Sequence, residues 1–275
     1  QPHLLHADEH QQQLLAADFR GGAALRLGLP APGGDTALEG LVDERQHHAA
    51  RLSGNELQIL VERGLDNELV GTAYAVVDGV DGRTHHIRLP NIEAAGDSAP
   101  GSIVELRSFE DARGERRVAL ATRSDLSIEA QTTASGATWL DRQLIARDSV
   151  DLGGGFGLEV RRAMDARANH LASEGLARRE NEHTVFSRNL IGTLRQRELD
   201  ALGDRLATET GISFQKSADG EYVAGVYRQR FALASGRFAM IDDGLGFKLV
   251  PWTPSIEKHI GQHISGVARA DGGVD

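Results

Sequence analysis

The sequence predicts an α+β protein in which a helical module separates two small β-rich units, and three observations lead to this prediction. Apolar and polar residues alternate with a period of two over residues 57–123, which is typical of half-buried strands. Helical periodicity follows in residues 136–211, and strand patterns return in residues 212–275. We expect the first unit to close into a small antiparallel β-barrel, because closure removes exposed sheet edges. The last unit is expected to be a second small barrel or a sheet with one helix.

Residues 1–54 are predicted to form a helical amino-terminal segment. Two helices are separated by a connector rich in proline and glycine, residue types that oppose both helix and strand. The second helix is predicted to begin at Thr36, which can form a capping box with Glu39, and to end at Gly54.

The first β unit is predicted to span residues 55–124 and to contain five strands. These strands are expected at 57–63, 71–79, 83–89, 102–108 and 115–123. Two Asp-Gly pairs in residues 78–82 favour a tight hairpin between the second and third strands. An oligonucleotide-binding barrel is one interpretation, but Tyr74 and Phe109 are the only aromatic residues here, and base stacking needs more rings. A purely structural barrel is therefore favoured.

A winged-helix-like module is predicted for residues 136–211, after a polar linker. Thr138 and Asp141 fit a capping box that begins its first helix. The elements that follow are expected at 156–174 (helix), 176–187 (hairpin) and 188–210 (helix). Gly211 ends the last helix. This order of helix, helix, hairpin and helix is compatible with a winged helix.

The carboxyl-terminal β module is predicted for residues 212–275. Its strands are expected at 222–233, 236–242, 246–251 and 264–269. An Asp-Gly pair supplies the turn between the second and third of them. Pro254 is predicted to begin a helix that contains Ile256 and Ile260, because proline is favoured in the first helical turn.

Composition limits both the chemistry and the location of the protein. The chain contains no cysteine, which excludes disulfides and thiol nucleophiles. Its formal net charge is -10, and the acidic excess lies in the first half, so only a local basic face of the second half could attract nucleic acid. No apolar run reaches the ~20 residues of a membrane span, and the first residues show no signal-peptide pattern. We expect a cytoplasmic fragment without membrane insertion.

The histidines do not predict a metal site. His3, His6 and His10 have a spacing that could meet on one helical face, but they lie at the terminus, Pro2 opposes an early helix, and only Asp8 and Glu9 could supply acidic groups beside them. His85 and His86 are neighbours in a predicted strand and should point to opposite faces, so they cannot easily share a metal. We therefore predict no metal and no cofactor.

Two further motifs have structural interpretations, so no catalytic residue is predicted. The glycine run in residues 153–157 precedes a helix, but it lacks the Lys-Ser/Thr pair of a nucleotide-binding loop. A helix entry turn is the favoured interpretation. Asp242 and Asp243 stand before a glycine at a predicted hairpin corner, where aspartate is preferred for turn formation.

Basic residues of the helical module are the candidates for nucleic-acid binding. In a winged helix, the helix before the hairpin and the hairpin itself would contact the DNA groove and backbone. The candidate residues are Arg161, Arg162, Arg167, Arg178, Arg179, Arg195 and Arg197. Glu159, Glu174 and other acidic residues are interspersed among them, so a solvated lattice of i,i+4 charge pairs is the alternative interpretation.

Three motifs carry a family resemblance. They are AYAVVDGVDGRTHHIRL (residues 73–89), SGATWLDRQLIARD (135–148) and ASGRFAMIDDGLGFKLVPW (234–252). In this order they resemble the carboxyl-terminal, non-catalytic region of VirD2-like conjugative relaxases, the mobilization proteins that nick a transfer origin. The resemblance implies that the nicking chemistry belongs to a separate amino-terminal domain with a tyrosine nucleophile and a histidine cluster. No catalytic residue is carried over to this chain.

The resemblance implies an accessory role and leaves three hypotheses open. The first is DNA binding, either at the origin or on the single-stranded transfer DNA. The second is a pure protein-interaction module that docks the relaxase on the coupling protein or the type IV secretion machinery. The third is a metal-dependent hydrolase that uses histidines.

Overall fold

The computed structural model describes residues 57–65, 73–110, 113–147, 151–180, 183–269 and 273–274. Within these ranges the protein is α+β, with two five-stranded sheets, one two-stranded hairpin and four α-helices, so the predicted fold class is confirmed. The predicted helical segment 1–54 and its capping box lie outside the described residues. None of the helices described is both long and apolar enough to cross a membrane.

The first sheet contains the five strands that the alternating pattern predicted. They are β1 (Leu57–Leu65), β2 (Ala73–Gly79), β3 (Thr84–Arg88), β4 (Ile103–Glu110) and β5 (Arg116–Ser124). The strand order is β3-β2-β1-β4-β5, and every neighbouring pair is antiparallel. Alternate residues of β2 point inward, so Ala73, Ala75 and Val77 are buried in the core of this sheet.

The predicted closed barrel is corrected to an open half-barrel, because the edge strands β3 and β5 do not pair in the described part of the chain. A short 3-10 helix, Ile92–Ala95, packs against β1, β2 and β5 instead. Its Ala95 lies in the same core as the inward residues of β2. This helix covers core side chains that pairing of the edge strands would otherwise enclose.

The helical module follows the predicted order of elements. Its members are α1 (Trp139–Leu144), α2 (Phe156–Ser173), β6 (Ala177–Glu180), β7 (His183–Phe186) and α3 (Leu190–Thr210). The capping box is present, since Thr138 and Asp141 each accept a hydrogen bond from the other's backbone N–H. Gly211 ends α3 in the left-handed conformation, with φ 72°. The winged-helix arrangement of these elements stays a prediction.

The second sheet is the expected sheet with one helix. Its elements are β8 (Tyr222–Leu233), β9 (Gly236–Asp242), β10 (Phe247–Pro251), α4 (Pro254–Glu257), β11 (His263–Arg269) and β12 (Gly273–Val274). Helix α4 is shorter than predicted: Ile256 is buried in the core, but Ile260 lies beyond the helix and is exposed. The two-residue strand β12 was not predicted.

The two sheets share one topology. The second sheet has the order β10-β9-β8-β11-β12, so in both sheets the first strand is central, flanked by the second and the fourth. Both carry a register shift in the first strand, between Leu60 and Glu62 and between Tyr227 and Gln229. Both place a short helix between the third and fourth strands, and that helix contributes to the core. The chain therefore contains the same five-stranded unit twice.

Helix α3 covers one face of the second sheet. Leu202 and Leu206 of α3 pack against Met240 of β9 and Leu249 of β10, and Phe247 joins the same cluster. The opposite face of β9 and β10 packs with α4 in a separate core. Both faces of these strands are thus buried, and the helical module and the second sheet form one packed body.

Candidate nucleic-acid interface

The seven arginines predicted to contact nucleic acid occupy different environments. Arg161 and Arg162 lie on α2, and Arg178 and Arg179 lie on β6; all four are exposed. Arg167, also on α2, is fully buried. The remaining two arginines lie on the amino-terminal half of α3. The structure therefore does not bring the seven residues together on one surface.

The prediction for Arg167 is wrong, because its side chain is 0% exposed and cannot reach a ligand. Its guanidinium forms a two-pronged ion pair with Asp141, in which Nε lies 2.8 Å from Oδ1 and Nη2 lies 2.8 Å from Oδ2. It also donates to the carbonyl oxygens of Ala134, at 2.6 Å, and Gly136, at 2.9 Å. Arg167 thus joins α2 to the segment that precedes α1.

The exposed arginines divide into two pairs. Arg179 donates from Nη2 to Oδ1 of Asn169 at 3.0 Å, which ties the hairpin to α2. Arg162 lies seven residues before Asn169, two helical turns away on the same face of α2, or roughly 10 Å along the axis. Arg162 and Arg179 therefore flank one stripe of α2. Arg161 is turned elsewhere, because its Nη2 donates to the carbonyl oxygen of Leu152 at 2.7 Å.

Arg178 follows the alternation of β6, so it points to the opposite side of the hairpin from Arg179. Its side chain is 75% exposed and forms an ion pair with Glu180. Exposed ion pairs of this kind contribute little free energy, so the Arg178 guanidinium stays accessible to another anion. Glu180 nevertheless reduces the positive potential on this side of the hairpin.

The two arginines of α3 border a cavity of about 620 Å³ between this helix and the second sheet. Phe238, Leu249 and Pro251 supply apolar lining, and Arg195 and Arg197 lie on the α3 side. Arg197 also forms a 3.6 Å ion pair with Glu174, which follows α2. Arg197 thus contacts the carboxyl end of α2, whereas Arg162 lies near the amino-terminal end of that helix.

A larger groove of about 1020 Å³ lies between the two sheets, and sequence reasoning did not find it. Arg230 and Arg237 place their guanidinium carbons 4.8 and 5.4 Å from the ring centroid of Trp252. Arg237 forms a two-pronged pair with Asp125, at 2.7 and 2.6 Å. Asp97 accepts from Arg237 at 2.5 Å and from Arg230 at 3.0 Å. The signal available in the sequence was Trp252, one of only two tryptophans.

The electrostatics of this groove are those of a salt-bridge network. Burial raises the pKa of the Asp97 carboxyl, but the hydrogen bonds and charges of Arg237 and Arg230 outweigh this effect and hold that pKa below its ordinary value. Burial and the carboxylate of Glu257 raise the pKa of Tyr227 to about 12. These ion pairs join the two sheets. Because each of these arginines is paired with a carboxylate, this part of the groove does not present a concentrated positive potential to a nucleic acid.

Two of the three motifs that carry the family resemblance meet at a second junction, between the helical module and the second sheet. The Glu198 carboxylate on α3 accepts hydrogen bonds from the backbone N–H groups of Ala234 and Ser235, each at 2.9 Å. The Ser235 hydroxyl in turn accepts from the backbone N–H of Ala137 at 2.8 Å. The segments SGATW and ASGRF are thus held against each other and against α3. These contacts join the helical module to the second sheet.

The structural interpretations of the remaining motifs agree with the geometry. His85 is buried and bonds to Asp81 at 3.1 Å, whereas His86 points to the opposite face of β3. Gly153 donates its N–H to the carbonyl oxygen of Val80 at 2.8 Å, so the glycine run packs on a turn of the first sheet. No group of three histidine or acidic side chains among the described residues could hold a metal ion. His3, His6 and His10 lie outside the described residues.

The comparisons with known proteins give a family and no activity. A family model described as a protein of unknown function, DUF3363, matches residues 37–112 and 105–275. These overlapping matches cover most of the chain, which therefore belongs to this family. Neither a curated protein nor a solved structure matches the sequence.

Proposed function

We propose that this member of the DUF3363 family is a non-catalytic, nucleic-acid-binding region of a cytoplasmic conjugative relaxase. The observation that carries the proposal is the repeated five-stranded topology: a central first strand and a short helix between the third and fourth strands. Oligonucleotide-binding folds have this connectivity, and they bind nucleic acid on an open sheet face. The helical module would add contacts to the phosphate backbone.

The contacts on α2 define the second part of the proposed interface. Arg162 and Arg179 flank one exposed stripe of α2, and Asn169 lies on that stripe. In a winged-helix arrangement this helix and hairpin would approach DNA together, with the arginines against phosphates. Asp165 is exposed between Arg162 and Asn169, so we propose backbone contact at the arginines and no deep insertion into a groove.

Fluorescence anisotropy with labelled single-stranded and double-stranded DNA over a salt series tests this proposal. The slope of log K against log salt should fall by about two in R162A/R179A, because each lost phosphate contact removes about one unit. R161A/R178A removes the same charge from side chains that the structure turns elsewhere, and should retain most of the slope. Absence of binding by the wild type at low salt would contradict the proposal. Equal loss in both double variants would contradict the assigned face.

A protein-interaction role is the second candidate, and exposed apolar side chains favour it. Leu245, at the tip of the β9–β10 hairpin, is 87% exposed, and Phe109 on β4 is 50% exposed. Such residues on a charged surface are candidates for contact with the coupling protein or the secretion machinery. In a pull-down with those purified components, L245S should reduce capture while leaving DNA binding unchanged. Capture that is insensitive to this substitution would contradict a role for the hairpin tip.

A further inference from the structure

Helix α1 carries an arginine beside the end of the first sheet. Trp139 of α1 packs in one core with Ile103 of β4. Arg142 lies one turn after Trp139 on the same face of α1. It retains exposed surface, and it forms neither a hydrogen bond nor an ion pair with any residue that the structure describes. The donors of this guanidinium are therefore not used within the described part of the chain.

A second arginine, Arg123, lies at the end of β5 on the same side of α1. It is the extra residue of a β-bulge, because its neighbours Thr122 and Ser124 pair with consecutive residues of β4. Ser124 pairs with Ile103, which shares its core with α1. The bulge therefore holds Arg123 next to the helix that carries Arg142.

The third arginine, Arg195, lies on α3. Leu144 of α1 packs against the cluster that contains Leu194, the residue before Arg195. Glu198 follows one turn later on α3, but its carboxylate accepts hydrogen bonds from two backbone N–H groups that precede β9. Three elements thus meet around α1, and each brings one arginine. The arginine cluster consists of Arg123, Arg142 and Arg195.

Positive charge exceeds negative charge on the sheet side of the arginine cluster. Arg123 and Arg107 both donate to one oxygen, Oε2, of Glu105, so a single carboxylate serves two guanidinium groups. Elsewhere in the groove between the sheets the balance is reversed, because three carboxylates match Arg230 and Arg237. The excess of arginine is therefore local to the end of β5.

The arginines of the cluster repel one another. Partial burial lowers the pKa of the Arg142 guanidinium, and the positive charges of Arg195 and Arg123 lower that pKa further. The carboxylate of Asp141 opposes this effect, but it is already held by Arg167. Like charges that the fold keeps together without a matching anion cost stability, which is a property of sites that bind an anion.

We propose that the arginine cluster is a binding site for a phosphate group of the nucleic-acid backbone. This inference rests on the proposed function and adds a phosphate contact where α1, α3 and β5 meet. A phosphate accepts several charge-assisted hydrogen bonds from guanidinium groups, and its negative charge offsets their mutual repulsion. Sequence analysis named Arg195 alone of these three residues, because the other two lie outside the winged-helix elements.

Fluorescence anisotropy of the full chain with labelled DNA over a salt series tests the phosphate contact. R142Q and R195Q should each lower the slope of log K against log salt by about one, because each removes a cation from the contacted phosphate. The matched control is R205Q on α3, which removes the same charge from an exposed arginine paired with Glu209. R205Q should keep the slope of the wild type.

Thermal unfolding without DNA gives a readout that a structural arginine would not produce. Removal of the repelling charge in R142Q should raise the melting temperature at low salt by about 1–3 °C, and this difference should vanish near 1 M NaCl. R205Q removes an ion pair and should show no rise. A lower melting temperature of R142Q, or its failure to fold, would show that Arg142 supports the fold and would overturn the site.

Inorganic phosphate distinguishes the site from the proposed function. At equal ionic strength, phosphate should raise the melting temperature of the wild type more than NaCl does, and this excess should be lost in R142Q. DNA binding by the wild type with unchanged slopes in R142Q and R195Q overturns the site and leaves the proposed function intact. A phosphate effect without any DNA binding supports a site for a free phosphate and contradicts the proposed function. Absence of both effects overturns both.

Discussion

Replacement of Arg167 by alanine tests whether this residue stabilises the fold or binds nucleic acid. Both partners of the Arg167–Asp141 pair are 0% exposed, so R167A leaves the Asp141 carboxylate buried without its counter-ion. Removing one member of a buried pair costs about 3–5 kcal/mol. The variant also leaves the carbonyl oxygens of Ala134 and Gly136 without the donors that Arg167 supplies. We therefore expect the free energy of unfolding to fall by about 4 kcal/mol.

Urea denaturation followed by circular dichroism measures this loss directly. A loss of this size should also lower the melting temperature by roughly 8–16 °C for a chain of this length. R167K keeps the charge but not the two-pronged geometry, so its stability should lie between those of the wild type and R167A. D141A should be destabilised as well, and the double variant should lose less than the sum of the two single losses, because no unpaired charge remains.

Replacement of Arg167 should lower stability but leave DNA binding unchanged. Below its unfolding transition, R167A should bind DNA with the same salt slope as the wild type, whereas R162A should lose about one unit of slope. A change in unfolding free energy of less than about 1 kcal/mol in R167A, together with a reduced salt slope, would refute the buried assignment. It would also restore the nucleic-acid contact that the sequence predicted.

Two further predictions concern packing and pH. A β-carbon at Gly203 of α3 would overlap the ring of Phe214. The free energy of unfolding of G203A, measured in urea, should therefore fall by about 1–2 kcal/mol although alanine has the better helix propensity. G192A in the same helix should lose less, because the overlapping atoms there belong to the flexible Asn189 side chain. Because the pKa of Asp97 is held below its ordinary value in the folded state, its contribution to stability is fully present above the ordinary pKa and is lost as the pH falls through the folded pKa. The difference in unfolding free energy between the wild type and D97N should therefore shrink from about pH 4 downward, and a difference that is independent of pH would contradict the assignment.

The sequence predicted the order and type of nearly all described elements because local signals were strong. Alternation, Asp-Gly turns and the Thr138 capping box act within a few residues, and each is present in the structure. Closure of the barrel was predicted wrongly, because it depends on whether two distant edge strands meet. No local pattern reports that the helix Ile92–Ala95 packs against β5.

The candidate site was harder to predict, and Arg167 shows why. Val160, Ala163 and Leu171 are buried on α2, and Arg167 falls on the same helical stripe by its spacing of three to four residues. Periodicity therefore indicated burial, but an arginine is normally assigned to the surface. The decisive fact was Asp141, which lies 26 positions earlier in the chain. Long-range ion pairs of this kind leave no periodic signal.

The repeated unit escaped detection for a related reason. In β2 the apolar residues alternate because only one face is buried, whereas β9 is buried on both faces from Phe238 to Asp242. A strand that is covered on both faces has a nearly continuous run of apolar residues, so the two equivalent strands have different apolar patterns in the sequence. The cover supplied by α3 thus explains why the two equivalent strands differ in their apolar patterns. The alternation that remains in β2 leaves Tyr74 half-buried, whereas Ala239, Met240 and Ile241 of β9 are all buried.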